Sequence, residues 1–219
     1  MKILAFDTST KAGSVCILED KTIIGEVYFN LDRTHSERIL PIIDYILNFT
    51  KIKINEIELF VCGIGPGSFT GIRIGLAIAK GFSFALNKPL IGVSSLDALA
   101  YSLYLEEEYI AIIEGRNKEY FYAIYKWNNN DLVRISDYNV SPLNKLPEIN
   151  NAITIDNSLF KINSDNNFLP FKKIFKSNLF SHNYGILGYN NFIKGTFPEE
   201  VNPLYLKPSD AEINLKKLS

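Results

Sequence analysis

The sequence predicts an α/β protein of two lobes, each a mixed sheet with flanking helices, and three observations carry that expectation. Through the first half, apolar β-branched runs and helical-period stretches come in the order strand, strand, strand, helix, strand, helix, strand, helix. Tyr109-Ile110-Ala111-Ile112-Ile113-Glu114 then repeats the character of Ile3-Leu4-Ala5-Phe6-Asp7, an apolar strand closed by an acid. The second half therefore reads as a degenerate copy of the first, with Asp7 and Glu114 in matching places. Lastly, 219 residues of which 47% are hydrophobic suffice for two lobes of about 100 residues, each with a core. The expected division is 1–105 and 106–219, with the final helix and tail packing back on the first lobe.

Taken in order, residues 3–7, 14–18 and 23–29 read as strands, separated by turn chemistry at Thr10-Lys11-Ala12-Gly13 and Glu19-Asp20-Lys21. Thr34-His35-Ser36-Glu37 has capping-box spacing, and Ile39, Leu40, Ile42, Ile43, Ile46, Leu47 and Phe49 follow with helical period, predicting a helix over 36–51. Pro41 lies inside it and should bend it. A strand at 59–62 runs into the loop Gly63-Ile64-Gly65-Pro66-Gly67 and a helix over 68–86, capped by Ser68 or Thr70 and ended by Asn87-Lys88-Pro89. A strand at 90–93 and a helix reaching Tyr104 complete the lobe. Strands at 109–114, 120–125 and 132–135 open the second. Residues 139–177, with Pro142, Pro147 and Pro170, read as a loop-rich stretch holding one strand at 152–155. A last helix covers 178–193, and Pro203-Leu204-Tyr205-Leu206 leads into a charged tail.

The helix over 68–86 is the least ordinary element. Small residues recur every four positions, at Gly67, Gly71, Gly75, Ala79 and Ser83, forming one ridge that another backbone can approach closely. The neighbouring ridge of Thr70, Ile74, Ile78, Phe82 and Leu86 is bulky and apolar. Arg73 and Lys80 form one cationic edge. Gly71, Gly75 and Gly81 together forfeit roughly 3 kcal/mol of helix preference, which tight packing must offset. That packing is against the protein's own sheet, against another protein, or against both on different faces.

Composition excludes several classes. A formal net charge of −1 argues against a chain that binds RNA alone. The apolar run at the N-terminus is too short for a secretory signal, and the glycines and charges of 68–86 argue against a membrane span, so a cytoplasmic protein is expected. Cys16 and Cys62 read as two buried thiols. Neither a P-loop nor the full dinucleotide fingerprint is present, although the helix start at 68 is able to attract an anion. His35 and His182 are the only histidines, which leaves no zinc motif and no nucleophile–base pair. No catalytic residue and no metal ligand is assigned.

The order of elements resembles the ribonuclease-H-like half of the actin and sugar-kinase (ASKHA) superfamily, which implies an actin-like fold. Asp7-Thr8-Ser9-Thr10 stands where nucleotide-using members carry an acid and a hydroxyl turn for phosphate and magnesium. No glycine precedes Gly13, so Asp7, Thr8 and Ser9 read either as a vestigial phosphate site or as caps on a strand end.

Four stretches bring a family into view: Asp7-Thr8-Ser9-Thr10; His35-Ser36-Glu37-Arg38-Ile39-Leu40-Pro41; the whole run from Gly63 to Gly81; and Gly92-Val93-Ser94-Ser95-Leu96. They closely resemble the TsaB (YeaZ) family over the first 100 residues, the glycine run being the specific part. Glu114-Gly115-Arg116 resembles the family's Asp-Ala-Arg stretch with two residues replaced, and Tyr205-Leu206-Lys207 its Tyr-Leu-Arg ending. The resemblance implies a noncatalytic bacterial subunit that pairs with the related TsaD, cooperates with the ATPase TsaE, and meets tRNA only through that complex. ATP or ADP and metal are then expected on the partner subunits, and a homodimer in isolation. The helices over 36–51 and 68–86 become the expected partner interface, through His35, Glu37, Ile39, Ile43, Gly71, Arg73, Gly75, Ile78, Lys80 and Phe82. The alternative is a small ATP-dependent kinase or phosphatase of the superfamily using Asp7 and Thr8.

Overall fold

The computed structural model describes residues 1–30, 38–160 and 169–207. The first sheet takes the order β3-β2-β1-β4-β5. It comprises β1 (Lys2–Asp7), β2 (Ala12–Glu19), β3 (Thr22–Asn30), β4 (Leu59–Gly63) and β5 (Leu90–Val93). The three N-terminal strands form an antiparallel meander, while β4 lies parallel to β1 and β5 parallel to β4. Two crossover helices, α1 (Ile39–Thr50) and α2 (Phe69–Leu86), make the parallel pairings possible.

The second sheet repeats the plan. β6 (Tyr109–Glu114) pairs antiparallel with β7 (Glu119–Asn128), which also pairs with β8 (Asp131–Arg134) and, farther along, with β9 (Asn139–Pro142). β10 (Asn151–Thr154) lies parallel to β6, and β11 (Lys173–Lys176) parallel to β10. Asp7 faces Ser14 and Glu114 faces Tyr120 at the same ends of equivalent strand pairs, so the repeat read in the sequence is a repeat in space.

Strand β1 is covered on both sides, and its alternation sorts the core. Leu4 and Phe6 join Ile39, Ile43 and Ile46 of α1 and Leu76 and Ala79 of α2 on one face. Ile3 and Ala5 join a second cluster on the other face. That cluster is covered by α3 (Ser95–Tyr101) and α4 (Ser181–Lys194), and it runs on into Tyr109, Tyr125 and Trp127 of the second sheet. The two sheets therefore share one apolar core, and α4 lies against β1, β2, β4 and β5. Glu26 of β3 fixes the start of α4 by accepting the His182 N–H at 2.9 Å and meeting its ring Nδ1 at 2.7 Å.

Several boundaries differ from the sequence reading. The helix expected over 36–51 is described from Ile39, and the capping box at 34–37 lies outside the described residues. Pro41 consequently sits in the first turn, where N–H groups have no partner within the helix, so no bend is required of it. The stretch 139–177 holds β9, β10 and β11 rather than one strand. β9 ends on Pro142, and β11 carries a lysine at each end around Ile174 and Phe175; both signals are short and proline- or charge-flanked, as edge strands often are. The helix α3 stops at Tyr101, short of Tyr104.

Candidate functional site

The end of β1 holds the candidate phosphate residues, and Asp7, Thr8 and Ser9 are each only 1% exposed. The Asp7 carboxylate accepts the Ser9 N–H at 3.2 Å and the Ser9 hydroxyl at 2.9 Å. Ser9 Oγ also lies 2.9 Å from Ser95 Oγ in α3, and the Ser9 carbonyl accepts the Ser68 N–H at 2.6 Å. The Thr8 hydroxyl donates to the Gly71 carbonyl at 2.7 Å. Gly63 closes over the acid, for a Cβ there would stand 1.9 Å from Asp7 Oδ1. Burial pushes the Asp7 carboxyl up to about 6 from its ordinary 3.8, with the Ser9 hydrogen bonds opposing that shift. These polar groups bind α2 and α3 to the strand end.

Helix α2 is capped by Ser68, whose hydroxyl accepts the Gly71 N–H at 3.3 Å. Its small ridge faces the β1 turn. Added Cβ atoms on Gly67, Gly71 and Gly75 would come within 2.1 Å of the Ser9 carbonyl, 1.9 Å of the Thr8 carbonyl and 2.4 Å of Thr8 Oγ1. At those positions the ridge serves the protein's own lobe. Gly81 differs: nothing lies within 4 Å of where its Cβ would be.

A cleft of about 830 Å³ opens between the lobes, with Ser9, Lys11, Ser68 and Phe69 on one wall and Glu114, Arg116, Asp156 and Lys176 on the other. Asp7 and Thr8 do not line it. Asp156 accepts the Glu114 N–H at 2.7 Å, and burial raises its carboxyl above the ordinary range.

The outward faces of α1 and α2 are apolar to an unusual degree. Leu40, Tyr45 and Phe49 of α1 are exposed, Tyr45 and Phe49 stacking at 6.1 Å, and Phe84 of α2 is 90% exposed. On α2 the exposed face also includes Ala77, Gly81 and Ala85. By length and apolar composition α2 passes for a membrane-crossing helix, but its inner face packs on β4 as the crossover to β5.

The residues anticipated for a partner interface fall in different places. His35 and Glu37 lie outside the described residues. Ile39 and Ile43 are buried on the inner face of α1, and Gly71 and Gly75 lie against Thr8. Ile78 and Phe82 are half-buried on the same cluster, Phe82 stacking on Phe60 at 5.7 Å. Arg73 and Lys80 are exposed, yet both face the chain's own return segment: Arg73 Nε donates to the Tyr205 hydroxyl at 2.8 Å, and Lys80 Nζ lies 3.8 Å from Glu200. Leu40 and Phe49, read in the sequence only as part of the helical-period apolar set, are exposed, as are Tyr45 and Phe84, which the sequence reading did not single out. Tyr45 and Phe49 stand one turn apart on a flank of α1 beside the buried stripe of Ile39, Ile43 and Ile46, a second apolar strip that a helical projection reveals.

Comparison with known proteins agrees with this geometry. A family model described as "TsaD: tRNA N6-adenosine threonylcarbamoyltransferase" matches residues 22–183. Two proteins named tRNA threonylcarbamoyladenosine biosynthesis protein TsaB, from Haemophilus influenzae and Escherichia coli, are 41% and 38% identical over 128 and 136 residues. The matches cover 56% and 60% of this chain and 53% and 58% of those proteins. The chain thus spans little more than half the length of these relatives. YeaZ from Pseudomonas aeruginosa superposes with a TM-score of 0.80 at 25% identity, covering 94% of this chain and 99% of that one. Two echoing mixed sheets with flanking helices about a cleft define an actin-like protein of the ribonuclease-H-like kind. The chain belongs to the family that the model describes, within its TsaB (YeaZ) group.

Proposed function

We propose that this chain is the noncatalytic scaffold subunit of the bacterial complex that places threonylcarbamoyl on the tRNA adenosine beside the anticodon. In this reading it pairs with the TsaD transferase through the outward faces of α1 and α2, cooperates with the TsaE ATPase, and acts in the cytoplasm. Alone, it self-associates through the same faces. Nucleotide and metal chemistry belongs to the partner subunits, and tRNA is met only through the complex.

One observation carries the reading. The acid and hydroxyls that a phosphate-transferring relative would need are spent inside the fold, Asp7 beneath Gly63 and Thr8 on Gly71, whereas large apolar side chains stand outward on α1 and α2. Surfaces of that kind mark protein contacts. The family match adds that a TsaD partner would itself be a relative of this chain.

The test is co-purification of the chain with the TsaD of its own cell, followed by tRNA modification assayed with and without the chain. A stable pair and modification that depends on the chain are expected. Modification that proceeds without it, together with tight binding of ATP and magnesium to the isolated chain by calorimetry, would instead favour a kinase or phosphatase using Asp7 and Thr8.

A further inference from the structure

The chain leaves α4 and returns along α2 through Glu200, Val201, Leu204, Tyr205 and Lys207, and each contact of this segment is specific. Val201 is buried against Ile64 and Gly92. The Leu204 N–H donates to the Ile64 carbonyl at 2.8 Å, in the glycine loop. The Tyr205 ring stacks on Phe69 in the first turn of α2 at 4.4 Å, and its hydroxyl accepts from Arg73, whose guanidinium lies 5.8 Å over the Phe69 ring. Two residues on, Lys207 pairs with Glu119, the first residue of β7 in the second lobe. Glu119 in turn holds the β6–β7 turn, its carbonyl accepting the Gly115 N–H at 2.7 Å. Lys207, Glu119 and Phe69 all line the cleft.

We propose that the segment Val201–Lys207 is a tie across the cleft, coupling the width of the cleft mouth to the seating of the first two turns of α2. Only one residue stands between Tyr205 and Lys207, at most about 7 Å of backbone, so a displacement at one anchor is passed to the other over a short length of chain. Widening the mouth of the cleft, while the core shared by the two sheets stays intact, strains the Lys207–Glu119 pair or the seat of Tyr205 on Phe69 and Arg73. The anchors are unequal: the aromatic stack is the firmer, and the ion pair, with its partners 36% and 27% exposed, is the releasable end. An anionic ligand entering the cleft would compete with Glu119 for Lys207 and release the tie, and a protein seated on α2 would hold it closed. The tie operates in the isolated chain whether or not the outward face of α2 receives a TsaD-type partner.

Amide hydrogen exchange on the full chain tests this, with urea unfolding of each variant to ensure that the fold persists. Lys207→Glu and Glu119→Lys are each expected to speed exchange at Leu204 and across 73–76 by about threefold or more, and the double charge swap to restore it. From the other end, Tyr205→Ala is expected to speed exchange at Gly115. Faster exchange confined to the altered residue's own neighbourhood, failure of the swap to restore it, or no change at all overturns the coupling.

Discussion

Asp7 and the glycines around it make opposite demands that single substitutions can separate. The Asp7 carboxyl titrates at about 6 in the folded chain against an ordinary 3.8, because burial disfavours its charge. The folded state thus holds this proton more tightly than the unfolded chain does. The stabilisation it gives is complete below pH 4 and is lost as pH rises through 6, a change of at most about 3 kcal/mol. Asp7→Asn keeps an acceptor for the Ser9 N–H and carries no charge. Its stability relative to the unsubstituted protein is expected to rise between pH 4 and pH 7, measured as the difference between urea midpoints; a difference independent of pH would refute the assignment. The glycines of α2 divide by surroundings. Gly71→Ala drives a methyl into the Thr8 carbonyl and is expected to cost about 3 kcal/mol. Gly81→Ala meets open space and is expected to gain about 1 kcal/mol. Thermal unfolding of the two variants decides whether the signs differ. The sequence showed that Gly71 and Gly75 share a ridge from which Gly81 is absent, but not what that ridge meets. Only the position of the β1 turn decides that.

At the scale of elements, α1 and α2 each bury one face and present another. Leu4, Phe6 and Phe60 receive the inner faces, so Tyr45, Phe49 and Phe84 are free of any structural duty on the sheet. Phe84→Ser is expected to leave folding stability within about 0.5 kcal/mol. Through loss of an apolar anchor, it should weaken self-association and TsaD pairing about tenfold. Sedimentation of the isolated chain and titration with TsaD read both, and unchanged affinities would move the docking surface elsewhere. The elements themselves were legible because their signals are local: strand-length apolar runs for β1, β2, β4, β6 and β7, a serine cap and the Asn87-Lys88-Pro89 stop for α2. The edge strands β9 and β11 were not, since four residues carry too little pattern and their pairing to β7 and β10 is decided far along the chain. The contact between Arg73 and Tyr205 is hidden for the same reason. Its partners stand 132 residues apart, and a cationic edge with no visible neighbour reads as a surface waiting for a partner.

For the whole molecule, the repeat of an acid-closed strand was enough to imply two related sheets. What sequence did not convey is how the halves are joined. The core under α3 and α4 passes from Ile3 and Leu18 of the first sheet to Tyr109 and Trp127 of the second, so the apolar pattern contains no break where one sheet ends. The position of α4 also governs how this chain can be made. It follows every strand among the described residues, yet it covers β1, β2, β4 and β5, all complete by residue 93. During synthesis at about 5–20 residues per second, the underside of the first sheet is made on the order of ten seconds before the helix that covers it. Ile3, Cys16, Leu18, Leu59 and Val61 belong to the face left open in that interval.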